Sequence, residues 1–131
     1  MIFKQKTTPH QQDLKKIEAI TLQKSEEAQV FQDQVSLATQ NNDRVALQVA
    51  VQQIEKYVLK FNQELDALDL QTSEGQAIRE QLKVSNSVGI ELAAESLKDK
   101  PDLYKLSDLK MQTHTAQESM QKHMEALKAL Q

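Results

Sequence analysis

The chain has 131 residues, a net charge of −3 and no cysteine, which excludes disulfides, thiolate metal sites and cysteine nucleophiles within it. Two glycines, two prolines and 4% aromatic residues are too few for a sheet protein and favour long helices. The negative charge argues against a nucleic-acid partner, and no apolar run approaches the roughly 18 residues of a transmembrane segment.

The first predicted helix covers residues 8–40 and begins at the sequence TPHQ. Thr8 can cap it, Pro9 suits the first helical position, and Gln11 can return a hydrogen bond to the cap backbone. Residues 1–8 are expected to form a flexible N-terminal segment. The sequence QNND, from residue 40, supplies side chains that tolerate a left-handed turn and then cap the second helix.

Three further helices are predicted at residues 43–70, 73–98 and 101–130. The third opens in the sequence TSEGQ, where Ser73 and Gln76 have the spacing of a capping box. Pro101 ends the third helix and opens the fourth, because proline cannot continue a helix but suits its first turn.

Apolar residues recur at alternating spacings of four and three, which is typical of helices that pack along a shared core. The second helix shows the most regular pattern: Leu47, Val51, Ile54, Val58, Phe61, Leu65 and Leu68. Short connections make neighbouring helices antiparallel. We therefore predict an all-α, single-domain, antiparallel up-down-up-down four-helix bundle.

Small and polar residues meet at mid-height of this bundle. In one interpretation Phe61 fills the space that the small residues leave, and the hydroxyl groups donate hydrogen bonds to backbone carbonyls one turn back. Lys24 then extends its ammonium group to solvent. In the other, a pocket remains in which Lys24, Ser85 and Thr113 bind a small anionic ligand. Glycine is unfavourable inside a helix, so Gly89 is expected where a neighbouring element approaches closely.

The fourth helix carries the sequence MQTHTAQESMQKHM, which combines residues that could bind a soft metal. His114 and His123 lie nine positions apart and, at about 100° per residue, point in opposite directions. Met120, His123 and Met124 could bind monovalent copper, although we favour the interpretation that the methionines fill the core. No zinc-binding or cofactor-binding motif occurs, so no cofactor is predicted.

An apolar stripe outside the main core predicts an interface for dimerisation or for a partner helix. Its residues are Leu22, Val30, Leu37, Val84 and Val88. The chain lacks a Walker loop, a dinucleotide glycine fingerprint and a GxSxG elbow, and its glutamates fall mostly on predicted outer faces, so we predict that it is not an enzyme.

These features predict a soluble, non-catalytic bundle that acts through protein–protein contacts, as an adaptor, chaperone or accessory subunit. The alternative is a sensory bundle that binds a small ligand or a metal at mid-height. The expected location is cytoplasmic by default, and periplasmic or envelope-attached if a signal sequence or lipobox precedes these residues in the native gene product.

Overall fold

Four helices make up the fold of residues 8–129, the part of the chain that the computed structural model describes. They are α1 (Pro9–Gln40), α2 (Arg44–Asp66), α3 (Ser73–Ser96) and α4 (Leu103–Ala129). Consecutive helices pack together, α3 and α4 most extensively, and α4 also contacts α1. The predicted all-α four-helix bundle is confirmed. Residues 1–7 and 130–131 lie outside the described residues; they include most of the predicted N-terminal segment and the last residue of the predicted fourth helix.

The first two helices begin at the predicted caps. The Thr8 hydroxyl accepts a hydrogen bond from the Gln11 N–H at 3.1 Å, and the Gln11 side chain accepts one from the Thr8 N–H at 3.0 Å. In α2 the Asp43 carboxylate accepts from the Ala46 N–H at 3.0 Å. Asn42 adopts the left-handed conformation expected in this turn, with φ of 51°. Local sequence therefore determines where both helices start.

The start of α3 depends on a side chain from α1. The carboxylate of Asp13, which has no solvent-exposed surface, accepts hydrogen bonds from the backbone N–H groups of Gln71 at 3.0 Å and Thr72 at 2.8 Å, and from the Thr72 hydroxyl at 2.5 Å. The Thr72 hydroxyl in turn accepts from the Gly75 N–H at 2.9 Å. Thr72 is thus the cap of α3, one residue before the predicted Ser73.

The two glycines have opposite surroundings. A Cβ atom on Gly75 would lie 2.5 Å from Oδ2 of Asp13 and 3.0 Å from the hydroxyl of Thr72, so this site requires glycine. A Cβ atom on Gly89 would meet no atom within 4 Å. The prediction that Gly89 permits a close approach is therefore wrong, because open space adjoins it.

A second buried carboxylate organises the opposite end of the bundle. Glu95 accepts a hydrogen bond from the Asp102 N–H at 3.0 Å, and its carboxylate lies 2.7 Å from the ammonium of Lys98 and 3.6 Å from that of Lys105. The hydrogen bonds from Lys98 and from the Asp102 backbone lower the pKa of Glu95 despite its burial. Glu95 therefore stays ionised and fixes the residues that lead into α4.

The hydrophobic core is concentrated in the half of the bundle that contains the start of α1 and the α2–α3 connection. Each helix contributes a fully buried aliphatic residue to it: Ile17, Leu65, Ile78 and Leu127. In the other half, much of α1 is exposed between residues 25 and 37. Packing is thus strongest around the network of Asp13.

The hydrogen bonds of Asp13 couple its ionisation to folding. Burial raises the pKa of Asp13, but the Thr72 hydroxyl, the backbone N–H groups of Gln71 and Thr72 and the charge of Lys16 together lower it below 3.8. A folded-state pKa below the unfolded-state value means that the carboxylate stabilises the fold at pH values above about 3.8. This contribution disappears as the pH falls through the folded-state pKa.

We predict that Asp13→Asn lowers the free energy of unfolding by about 1–3 kcal/mol at pH 7, because hydrogen bonds to a charged acceptor are replaced by weaker ones. The difference from wild type should shrink below about pH 4, where the wild-type carboxylate begins to bind a proton. Urea denaturation at pH 7, 5 and 3 measures it. Asp69→Asn, at an exposed carboxylate in the same connection, is the control and should change stability by less than about 0.5 kcal/mol. A deficit for Asp13→Asn that is equal at all three pH values would contradict the assignment.

Candidate functional site

An exposed apolar groove runs between α1 and α2 along the outside of the bundle. We call it the α1–α2 groove and define it by the residues Val30, Phe31, Leu37, Val49, Gln53 and Tyr57. Val30, Leu37 and Val49 are 56%, 60% and 47% exposed, whereas the rings of Phe31 and Tyr57 are partly buried. Gln53 lies where the two halves of the groove meet. The two halves of the groove, which share Gln53, thus carry exposed apolar side chains that face solvent.

The two sides of the groove carry opposite charges. Glu27 of α1 lines one side, and Lys56 and Lys60 of α2 line the other, in the half of the groove that contains Tyr57. Among residues 8–129, neither lysine forms an ion pair within the chain, because every salt bridge in this range involves other residues. In this half, the groove therefore has an acidic residue on the α1 side and two basic residues on the α2 side.

Lys24 lies buried beneath this groove, with only 2% of its surface exposed. Its ammonium group is 2.5 Å from the Glu64 carboxylate and 3.3 Å from that of Glu27. The ammonium also lies 5.6 Å and 5.8 Å from the ring centres of Tyr57 and Phe61. The expectation that Lys24 extends to solvent is wrong, because two carboxylates and two aromatic rings compensate for its burial.

This environment determines the charge states at the centre of the α1–α2 pair. Burial lowers the pKa of Lys24, but its hydrogen bonds to Glu64 and Glu27 outweigh that effect and raise it above 10.5. The Tyr57 hydroxyl donates to the Lys24 carbonyl at 2.6 Å, and burial together with the two carboxylates raises the pKa of Tyr57 to about 12. At neutral pH Lys24 is therefore charged and fully engaged, and Tyr57 is a neutral donor.

The predicted anion-binding residues are not brought together. Ser85 lines a partly open cavity of about 230 Å³, beside Gly89 and Val58, but Lys24 and Thr113 do not line it. Thr113 instead donates to the Leu109 carbonyl at 3.0 Å, as the core-packing interpretation expects. The Ser85 hydroxyl is buried and has no hydrogen-bond partner within the described range.

Two of the three methionines of α4 pack against the core, whereas Met111 is exposed. Met120 and Met124 are partly buried and pack against the hydrophobic cluster, with His123 partly buried near them. His114 lies on an exposed face and contacts Glu118 at 2.9 Å. In residues 8–129, no three side chains of histidine, cysteine, aspartate or glutamate are grouped suitably for a metal ion.

The predicted interface residues divide into three groups. Val30 and Leu37 line the α1–α2 groove, and Leu22 and Val84 are exposed elsewhere. Val88 is only 5% exposed, so its placement on a free surface is corrected: it is a core residue. Val84 and Val88 lie one helical turn apart on α3, so the apolar pattern could not show that one is exposed and the other is buried.

Sequence reasoning missed the part of the groove that α2 contributes. Val45 and Val49 are both exposed and lie one helical turn apart, outside the regular core pattern of that helix. This pair was the available signal in the sequence. Tyr57, Lys56 and Lys60 could be assigned to the groove only once the packing of α1 on α2 was known.

We predict that the stem of Lys24 stabilises the fold more than its charge does. Lys24→Ala removes packing beneath Tyr57 and Phe61 and should cost about 2–4 kcal/mol, whereas Lys24→Met keeps the volume and should cost less than about 1.5 kcal/mol. Glu27 and Glu64, at 44% and 37% side-chain exposure, can be solvated when the ammonium is removed. Chemical denaturation of both variants tests this, and equal losses would show that the ion pairs dominate.

Comparison with known proteins identifies one family. Within residues 8–129 no helix has the combination of length and hydropathy that would carry it across a bilayer. No curated protein and no solved structure matches the chain. A family model described as "Uncharacterised lipoprotein PM1805" matches residues 11–130, nearly the whole chain. The chain therefore belongs to the PM1805 lipoprotein family.

Proposed function

We propose that the chain is a non-catalytic helical bundle that acts through protein–protein contacts at a membrane surface, with the α1–α2 groove as its contact surface. The observation that carries this proposal is the set of exposed branched side chains in the groove: Val30 lies beside the partly buried rings of Phe31 and Tyr57 in one half, and Leu37 and Val49 line the other half. Contiguous exposed apolar surface of this kind commonly marks an interaction site.

The membrane location rests on the family description. Lipid anchors are commonly attached to cysteine, and these 131 residues contain none, so an anchor would lie in a segment outside them. If that segment precedes α1, the anchor lies at the end of the bundle that holds Asp13. The 32 residues of α1 rise about 48 Å, so the α1–α2 turn would then face away from the membrane.

The charges beside the groove indicate the chemistry of the partner. A complementary protein surface would present an apolar strip, with basic groups facing Glu27 of α1 and acidic groups facing Lys56 and Lys60 of α2. Such complementarity accelerates association and selects the orientation of docking.

The buried ionisable groups support a structural role over a catalytic one. Asp13 and Glu95 accept hydrogen bonds from backbone N–H groups that lead into helices. Lys24 is neutralised by two carboxylates. General acid–base catalysis needs a titratable group within reach of a substrate, whereas each of these three groups is engaged by a neighbour that shapes the fold.

Site-specific photocrosslinking in the native cells tests the proposed contact surface. A benzophenone amino acid replacing Gln53, at the centre of the groove, should form an adduct with a protein when the full-length lipoprotein is irradiated. Val30→Glu combined with Leu37→Glu should reduce the adduct about tenfold or more, because charged groups would be placed in the apolar contact.

The matched control places the same photoreactive residue at Gln117, on the exposed face of α4. Adducts are identified by mass spectrometry, and thermal melting establishes that each variant is folded. Equal adduct yields at Gln53 and Gln117, or a yield unaffected by the two glutamates, would refute the proposed contact surface.

Ligand binding is a second candidate function, and the buried hydroxyl of Ser85 in the partly open cavity favours it. The cavity, of about 230 Å³, is lined largely by apolar groups that include Ile54 and Val58, so a small apolar molecule with one hydrogen-bonding group would suit it.

A thermal-shift screen with phenols, indole and short-chain alcohols tests this candidate. A probe at a hundred times its dissociation constant should add about 2.7 kcal/mol to the free energy of unfolding. Gly89→Leu should fill the cavity and abolish that gain, because the position adjoins open space. If no probe raises the wild-type melting temperature, or if Gly89→Leu responds like wild type, this candidate is excluded.

A further inference from the structure

We infer that the partner seated on the α1–α2 groove is a second copy of this chain, related to the first by a twofold axis parallel to the bundle axis. The inference rests on the proposed function, because it names the occupant of the groove proposed there as the contact surface. Three features favour a second copy as the partner. They are the charges beside the groove, its exposed apolar side chains, and the orientation that the proposed membrane anchor gives to the bundle.

Under this symmetry, the charged residues of one groove face residues of opposite charge in the groove of the other copy. A twofold axis that lies between the copies and parallel to the helices places α1 of each copy opposite α2 of the other, and it leaves every residue at its original height. Glu27, Lys56 and Lys60 line the same half of the groove, so they lie at about one height. Glu27 of each copy then faces the two lysines of the other copy.

The charged groups are available for such contacts. Lys56 and Lys60 have no ion pair within residues 8–129. Glu27 can turn towards a partner because Lys24 keeps its shorter contact, at 2.5 Å, with Glu64. Pairing across the interface would therefore give the two lysines of each copy a facing carboxylate without leaving Lys24 uncompensated.

The apolar residues follow the same symmetry. Leu37 of α1 and Val49 of α2 line the other half of the groove and share one height. In the twofold arrangement Leu37 of each copy meets Val49 of the other, and both exposed side chains lose solvent contact. Apolar burial would supply the affinity and the flanking charges would fix the orientation.

A twofold axis perpendicular to the helices gives a poorer match. It would place α1 against α1 and α2 against α2, so Glu27 of one copy would not face the lysines of the other copy. The two bundles would also point in opposite directions. Copies anchored at the same end on one membrane must point the same way, and the parallel axis satisfies this condition.

The mass of the full chain in solution tests the inference. Light scattering during size-exclusion chromatography, at loading concentrations from about 1 μM to 1 mM, should give twice the 14.9 kDa of one chain at the upper end of this range. Glu27→Lys alone and Lys56→Glu combined with Lys60→Glu should each give the mass of one chain. Raising the salt concentration to about 1 M should weaken the wild-type dimer, because the exposed ion pairs are screened.

Mixing the two charge-reversal variants is the decisive measurement. Every facing pair in the mixed dimer would carry opposite charges, so an equimolar mixture should recover the double mass that neither variant reaches alone. Lys110→Glu combined with Lys122→Glu makes the same charge change on the exposed face of α4 and should leave the dimer intact. If Glu27→Lys does not fold, because Glu27 also contacts Lys24, then Val30→Glu with Leu37→Glu should give the single mass.

The outcomes separate this inference from the proposed function. An adduct of two copies from the photoreactive residue at Gln53 supports both. An adduct with a different protein, together with a single-chain mass for wild type, overturns the inference and leaves the proposed contact surface standing. A wild-type dimer that neither charge-reversal variant disrupts, or a mixture that stays at the single mass, also overturns the inference.

Discussion

The ionised carboxylate of Asp13 is stable out of contact with solvent only while the Gln71 and Thr72 backbone and the Thr72 hydroxyl donate to it. Those donors belong to the connection that leads into α3, so the charge fixes the first turn of α3 against the first turns of α1. Gly75 completes the arrangement, because any side chain there would collide with the carboxylate. One buried charge thereby sets the relative positions of helices that are almost sixty residues apart in sequence.

This constraint also explains why the outer surface of α1 and α2 remains available. The core lies mainly in the half of the bundle that Asp13 fixes, and Glu95 fixes the start of α4 at the other end. In the half that contains the α1–α2 turn, α1 packs chiefly against α2, through Ala38 and through the contacts of Lys24 and Tyr57. No helix within residues 8–129 covers the opposite side of that pair, so the exposed valines and Leu37 face solvent. A bundle fixed at its ends can leave such a surface open without losing its fold.

The heptad pattern and the local caps were sufficient to predict the bundle and the starts of α1 and α2, because both depend on neighbouring residues. The end of α2 was predicted four residues too late, since Leu68 and Leu70 continue the apolar pattern while packing in a non-helical connection. Asp13 could not be identified, because its donors lie 58 and 59 residues away. Lys24 occupies a core position of the heptad, and only the packing of α1 on α2 reveals that Glu64 neutralises it. Side chains whose partners come from another helix are therefore the ones that periodicity cannot assign.

The buried charge beneath the groove has a consequence for the surface above it. Tyr57 is held by its hydrogen bond to the Lys24 carbonyl and by ring contacts, with centroid distances of 5.3 Å to Phe31 and 6.1 Å to Phe61. A floor held in this way loses little conformational freedom when a partner binds, which preserves affinity in a contact of modest apolar area. Lys24 cannot serve as an anion-binding group while it is neutralised, but its position between two carboxylates and two rings keeps the floor of the groove in one arrangement. The same lysine that was a candidate ligand contact in the sequence thus orders the aromatic surface on which the proposed protein contact would form.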